Sequence, residues 1–244
     1  MFRMTAVTLL LAALTTLPQH TAAQAAPHTY RNPALHLIVE YPATLDTEDP
    51  VTPDGYSYRT RFALHPDADP ESKGADPCSP LLLAAGMGPD QPLDPKKAKP
   101  GKIVLLQPTG GFTINEIKIA CLTRDNMQQT PEEHLVDLVE NSRHIDGLKP
   151  MPRMLTFDVG GAKVIFAASS GPTADEKGHR NGSAGMTYSG TAAALIDQRA
   201  FFFSFTANDL GVFNRMLASH VCFTAPACPA TLPVLVPYEF KPAP

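Results

Sequence analysis

The stretch Leu155-Thr156-Phe157-Asp158-Val159-Gly160-Gly161-Ala162-Lys163-Val164-Ile165-Phe166-Ala167-Ala168 decides how this chain folds. Leu155, Phe157 and Val159 alternate up to the Gly160-Gly161 pair, and Val164, Phe166 and Ala168 alternate again beyond it. Two runs of period two joined by two glycines are the pattern of a tight antiparallel hairpin. A second pair of strands follows, Met186 to Ile196 and Ala200 to Ala207, joined around Asp197-Gln198. Its second member holds Phe201-Phe202-Phe203-Ser204-Phe205, which sends aromatic rings to both faces of one strand. Such a strand belongs in the middle of a sheet covered on both sides.

Helices are expected on either flank of this block. Thr130 is a good N-cap, Pro131 suits the first helical position and Glu133 completes a capping box. The helix should reach about Ile145, with Leu135, Leu138, Val139 and Ile145 on one stripe and Glu132, Asp137, Glu140 and Arg143 outside it. Gly147, Pro150 and Pro152 end it. Asn208 should cap a last helix in which Leu210, Phe213, Leu217 and Val221 share a stripe laid on the sheet. Earlier strands are read at Leu35 to Tyr41, stopped by Pro42, and at Ser57 to Leu64, Leu81 to Ala85, Ile103 to Leu106 and Ile114 to Leu122. Proline-rich loops separate them at 65–80 and 86–101, and Gly110-Gly111 reads as a break. From Pro226 the chain carries six prolines in nineteen residues, and Val234 to Phe240 could at most add an edge strand. The fold class is therefore α+β, a mainly antiparallel sheet flanked by two main helices, an α/β sandwich.

Residues 1–25 read as a secretory signal peptide: Arg3 is a positive start, Ala6 to Leu14 an apolar core, and Ala23-Gln24-Ala25 a small-residue cleavage site before Ala26. The apolar run is too short to span a bilayer, so the mature chain is expected to have no transmembrane segment. No Cys stands near the site to take an N-terminal lipid. Removing residues 1–25 from the 244 leaves about 219, read as one α+β domain over 26–225 and a Pro-rich tail over 226–244. A soluble protein, secreted or periplasmic, is expected.

A formal charge of −4 with no long block of either sign argues against nucleic acid, which demands a basic footprint. Lys96-Lys97-Ala98-Lys99, between Pro95 and Pro100, reads as a solvated loop. Cys78, Cys121, Cys222 and Cys228 make an even set in an oxidising compartment, so two disulfides are expected. Three pairings are possible; Cys78 with Cys121 and Cys222 with Cys228 is favoured because the second pair closes a short loop containing Pro226. No two of these Cys have the close paired spacing of a zinc site.

The order of an early strand ending in Tyr41-Pro42, a mid-chain helix, the strand run from Leu155 to Ala207 and the final Asn208-Asp209-Leu210 to Val221 helix resembles the PsbP-like and DcrB-like exported domains, over about residues 30 to 225. The resemblance implies an α/β sandwich and an accessory or binding role, with no catalytic motif to transfer.

Motifs for chemistry are mostly missing. Asn181 stands where the first Gly of a nucleophile elbow belongs in Gly182-Ser183-Ala184-Gly185, and the segment Gly171 to Gly185 reads as a hairpin loop. No phosphate-cradling or dinucleotide loop opens either helix, so no cofactor is expected. His134 and His144 are ten apart, which suits surface residues rather than ligands; His20 and His28 go with or near the signal, and His220 beside Cys222 lacks a partner pair. Asp67, Asp69 and Glu71 copy the first positions of a calcium loop, but Ser72 replaces its Gly and Cys78 its closing Glu. Glu132-Glu133 suits a helix N-terminus. The Phe run, Phe213 and Met216 read as core rather than a ligand cleft. The expected function is a non-enzymatic accessory or binding domain with a protein partner in the cell envelope or extracellular space, the partner surface lying in the loops. The alternatives are a hydrolase of envelope or extracellular polymers using carboxylates such as Asp158, Asp175 or Glu176, and a small-molecule carrier with an apolar pocket between helix and sheet.

Overall fold

The structure is a computed structural model that describes residues 25–47, 62–63, 80–87, 104–105, 110–122, 129–174, 179–180, 185–196 and 198–242. The signal-like residues 1–24, most of the strand read at Ser57 to Leu64, the acidic loop at Asp67, Asp69 and Glu71, the lysine cluster at 96–99, Asp175, Glu176 and Gly182 to Ala184 lie outside them.

The strands are β1 (His28–Asn32), β2 (Leu37–Tyr41), β3 (Asp46–Thr47), β4 (Phe62–Ala63), β5 (Leu81–Met87), β6 (Val104–Leu105), β7 (Gly110–Ile117), β8 (Lys149–Pro150), β9 (Leu155–Val159), β10 (Ala162–Pro172), β11 (Met186–Ile196), β12 (Arg199–Ala207) and β13 (His220–Cys222). The helices are a single turn α1 (Ile119–Leu122) and two longer ones, α2 (Pro131–Ser142) and α3 (Leu210–Leu217). Eight strands form one antiparallel sheet in the order β3-β5-β7-β12-β11-β10-β8, with β9 also on β10. A three-stranded sheet, β1-β2-β13, and a short β4-β6 pair complete the described strands. The described residues are thus of the α+β class, mostly antiparallel sheet with two main helices.

The Gly160-Gly161 hairpin forms as its sequence dictates. Val159 pairs with Ala162, and the two glycines sit at φ +58 and +84, which a residue with a Cβ adopts poorly. β12 lies between β7 and β11, so the phenylalanine strand is central. Phe201, Phe203 and Phe205 point into the main core, while Phe202 packs on the opposite face beneath α2.

Size complementarity organises the main core. Across β11 and β12, Phe205 faces Gly190, Phe203 faces Ala192 and Phe201 faces Ala194. On the other side of β11 Phe166 is opposite Ala192 and Val164 opposite Ala194. A shallow trough of small residues therefore runs along β11, and α3 lowers Phe213 into it. A Cβ added to Gly190 would stand 2.8 Å from Phe213 Cζ and 3.2 Å from Phe166 Cε2, so only glycine permits that approach. Phe112 stacks on Phe205 at 5.3 Å, and Phe213 meets Phe240 edge-on at 5.5 Å, offset arrangements that the ring quadrupole favours.

Four expectations are corrected. The strand read from Ile114 to Leu122 begins at Gly110 and ends at Ile117, because backbone pairing with Ala207 and Thr206 carries it through Gly110-Gly111. The mid-chain helix stops at Ser142 instead of about Ile145; Leu138 is largely exposed, and the buried stripe is Leu135 and Val139. The last helix is capped by Asp209, whose Oδ1 accepts from Val212 N–H at 2.8 Å, and not by Asn208. Val221 lies in β13 beyond that helix, whose buried face is Val212, Phe213, Met216 and Leu217.

The Pro-rich segment after Pro226 is woven into the core. Leu235, Val236 and Phe240 are almost fully buried. Its extended backbone is tied down by Leu235 N–H to Ser219 O, Val236 N–H to Leu217 O, and the Asn214 side chain, which bonds both N–H and C=O of Phe240. Proline suits such a strap because few of its N–H groups are needed for pairing. Its hydrophobic residues cover the end of the Phe213 trough.

Candidate functional site

A cavity of about 510 Å³ opens where β1 begins, β2 ends and α3 passes into β13. β2 is built for this position: Leu37, Val39 and Tyr41 turn into the core, which leaves Ile38 and Glu40 on the other face. Glu40 stands between Thr29 of β1 and His220 of β13 as their direct cross-strand neighbour. Side chains so paired start about 4.5–5.5 Å apart at Cβ. Arg215 reaches the cavity from the last turn of α3, where a cation also suits the helix dipole. Ser219 follows that helix and is 2% exposed. Its Oγ has no hydrogen-bond partner among the described residues. Small apolar residues, Ala25 to Pro27 on one side and Pro42, Ala43 and Ala218 on the other, complete the wall.

His220, the chain neighbour of Ser219, does not hydrogen-bond its Oγ. Among the described residues no three His, Cys, Asp or Glu side chains come together to hold a metal ion.

The shifted carboxyl groups lie elsewhere, on α2. Glu133 is held below the ordinary carboxylate value, first by the backbone N–H of Thr130 and then by its hydroxyl. Glu140 is lowered first by its hydrogen bond with Arg143, with which it is ion-paired, and then by that with His144. Both shifts have structural causes, a capping box and a closing ion pair. His134 is on α2 and His144 just beyond it, where the latter bonds Glu140 at 3.2 Å. Asp158 is exposed on β9. The phenylalanine strand and Phe213 are packed core, not the lining of a cleft.

Cys222 and Cys228 form a disulfide. Cys78 and the side chain of Cys121 are outside the described residues, so the other half of the favoured pairing is not described. A second cavity, of about 460 Å³, lies beside this disulfide loop against the β1–β2 turn. There His36, at φ +54, accepts from Ala225 N–H through its carbonyl at 3.0 Å and bonds Ala225 O through Nδ1 at 2.6 Å. This histidine acts as a lock between two loops. No sequence reading singled out His36, Glu40, Arg215 or Ser219, since they carry no local motif and meet only through the pairing of β2 with β13.

A scan of protein-family models finds none that matches this chain, and a search of curated proteins likewise finds no significant match. Among the described residues no helix is long and apolar enough to cross a membrane.

Proposed function

We propose that this chain is an exported, non-enzymatic binding or accessory domain, of the PsbP-like or DcrB-like sandwich kind. The observation that carries the reading is the cavity of about 510 Å³ at Glu40, which Arg215 and His220 also line. Such an opening, walled by connections between the elements of a sheet, is where a binding function is expected. The Cys222–Cys228 disulfide agrees with work in an oxidising compartment, and residues 1–25 supply the export address. The partner surface then includes the connection from Pro42 to Leu45 and the turn between α3 and β13.

The test is an intact and native mass measurement on protein exported through its own N-terminus and purified without reductant. A start at Ala26 with disulfides formed and a retained partner or ligand is the expected result. Reproducible turnover by the pure protein, lost on replacing one polar loop residue, would overturn the non-enzymatic reading.

A further inference from the structure

The second cavity, of about 460 Å³, is built by the register of the small sheet. Ile38 stands between Arg31 of β1 and Cys222 of β13 as their direct cross-strand neighbour, on the face opposite to that of Leu37 and Val39. From Cys222 the chain loops round to Cys228 and is closed by the disulfide, which lays Ala225 and Pro226 along one side of the opening. Pro33 and His36, from the turn that joins β1 to β2, form the other side. Two hydrogen bonds fix the gap between these walls: His36 O accepts from Ala225 N–H at 3.0 Å, and His36 Nδ1 donates to Ala225 O at 2.6 Å. With the disulfide they hold the opening in a preformed shape, which lowers the ordering cost of filling it.

The lining narrows what could fill this cavity. Pro33, Ile38, Ala225 and Pro226 give it apolar walls, and Arg31, exposed on β1, is its one permanent charge. Asn32 has both side-chain ends committed, Nδ2 to Tyr30 Oη and Oδ1 to the Leu35 N–H. No Asp or Glu lines the opening; Glu40, the acid diagonal to Arg31 in the register, lines the other cavity. A cation would therefore meet Arg31 with no carboxylate to hold it. A doubly charged phosphate would lose its water against proline with a single guanidinium to compensate. A sugar ring finds no aromatic face in this lining. A single carboxylate on an apolar body matches both the charge and the walls.

We infer that this cavity is a second binding site, separate from the one at Glu40, and that it takes a small organic carboxylate with an apolar body. The carboxylate sits on the Arg31 guanidinium, whose fork can donate two parallel hydrogen bonds to it. The apolar body lies on Ile38 between Pro33 and Pro226. The volume falls within the usual range for small-ligand sites, about 300–1,000 Å³. Every lining residue lies beyond the expected cleavage site before Ala26, so removal of the signal leaves this wall unchanged. The carboxylate of a free acid and that at the C-terminus of a peptide present the same group to Arg31, and the experiment separates these two sources.

The experiment is calorimetric titration of the exported protein, purified without reductant, with phenylacetate, its neutral analogue phenylacetamide, acetate and N-acetyl-phenylalanine. Saturable binding of phenylacetate or N-acetyl-phenylalanine is expected at millimolar concentration. The amide should bind roughly tenfold more weakly or worse, as befits loss of a charge-assisted pair of hydrogen bonds. Acetate, which has no body to fill the apolar walls, should not saturate in the same range. Tighter binding of phenylacetate assigns the site to a free acid, and tighter binding of N-acetyl-phenylalanine assigns it to a peptide end. Arg31→Gln should weaken either acid by roughly tenfold, leave the amide unchanged and keep the wild-type unfolding midpoint, since the residue is exposed. Amide resonances of Ile38 and Ala225 should shift on titration. No saturable binding of either acid, equal binding of acid and amide, or full affinity in Arg31→Gln overturns the inference. Shifts confined to Thr29, Glu40 and His220 also overturn it and give the ligand to the other cavity.

Discussion

The two faces of the large sheet are built on different plans. One is filled by Phe112, Phe166, Phe201, Phe203 and Phe205 and is covered by α3, the three-stranded sheet and the C-terminal strap. The other is covered by α2, where Leu135 and Val139 sit on Ile165, Ala167, Ala193 and Ala200. Beyond the reach of α2 that second face turns polar, with Thr113, Ser204 and Thr191 in one cross-strand row and Thr206, Ser189 and Ser169 in the next. The aromatic face therefore joins distant parts of the chain, and the α2 face mainly joins one helix to β10 and β11, which come after it in sequence. The contrast teaches that damage on the first face should loosen the whole domain, whereas damage on the second can be absorbed by a shift of one helix.

The largest expected effect is at Phe203, fully buried and touching both Phe112 and Phe223. Phe203→Ala should destabilise by about 4 kcal/mol, measured by urea unfolding, since its neighbours come from three elements that cannot all collapse into the space. Leu135→Ala on the other face should cost about 2 kcal/mol, at the low end for such changes, because α2 can settle onto alanines. A larger loss at Leu135 than at Phe203 would break the comparison.

How much of this was legible follows from where the determining contacts lie. Both hairpins, the central phenylalanine strand and the Thr130 capping box were readable, because each depends on residues a few positions apart. The proline-rich end was read as a tail because composition reports local preference; its place in the core depends on bonds to Leu217 and Ser219 that only the fold supplies. Asn208 and Asp209 are both good caps by type, and the choice between them is set by which one α3 needs when Phe213 points into the trough. The Glu40 cavity was invisible for the same reason: Glu40 and His220 are far apart in the chain and are neighbours only across β2 and β13. The Cys222–Cys228 loop is short enough that spacing alone suggested it.

Ser169 sharpens the comparison with an effect of opposite sign. It is fully buried on β10, at the end of the second polar row, and its Oγ has no partner among the described residues. Removing an orphaned buried hydroxyl should relieve its desolvation cost, so Ser169→Ala is expected to raise stability by about 1 kcal/mol. A loss of stability would mean that the hydroxyl is satisfied by water and that this row is an organised polar layer.

The smallest effects belong to the capping of α2, the helix on the second face, and their pH dependence identifies their cause. Thr130 Oγ1 accepts from Glu133 N–H, and Glu133 Oε2 accepts from Thr130 N–H at 2.7 Å, so two otherwise free donors at the start of α2 are satisfied reciprocally. Thr130→Ala should cost about 1 kcal/mol. Glu133 is lowered in the folded state from an ordinary value of 4.5, with the Thr130 backbone N–H as the main cause. A carboxyl whose pKa falls on folding contributes stability that is present above the unfolded value and is lost as pH drops through the folded one. The stability gap between wild type and Glu133→Gln should therefore be constant near neutrality and shrink as pH falls below 4.5. Leu135 and Val139 lie on the same helix, so a weakened cap should fray α2 from its first turn and expose the Ala167 and Ala193 backbone to hydrogen exchange before the Phe203 strand opens. Equal exchange on both faces would show that the sheet opens as one unit, and the two plans would then differ in composition without differing in cooperativity.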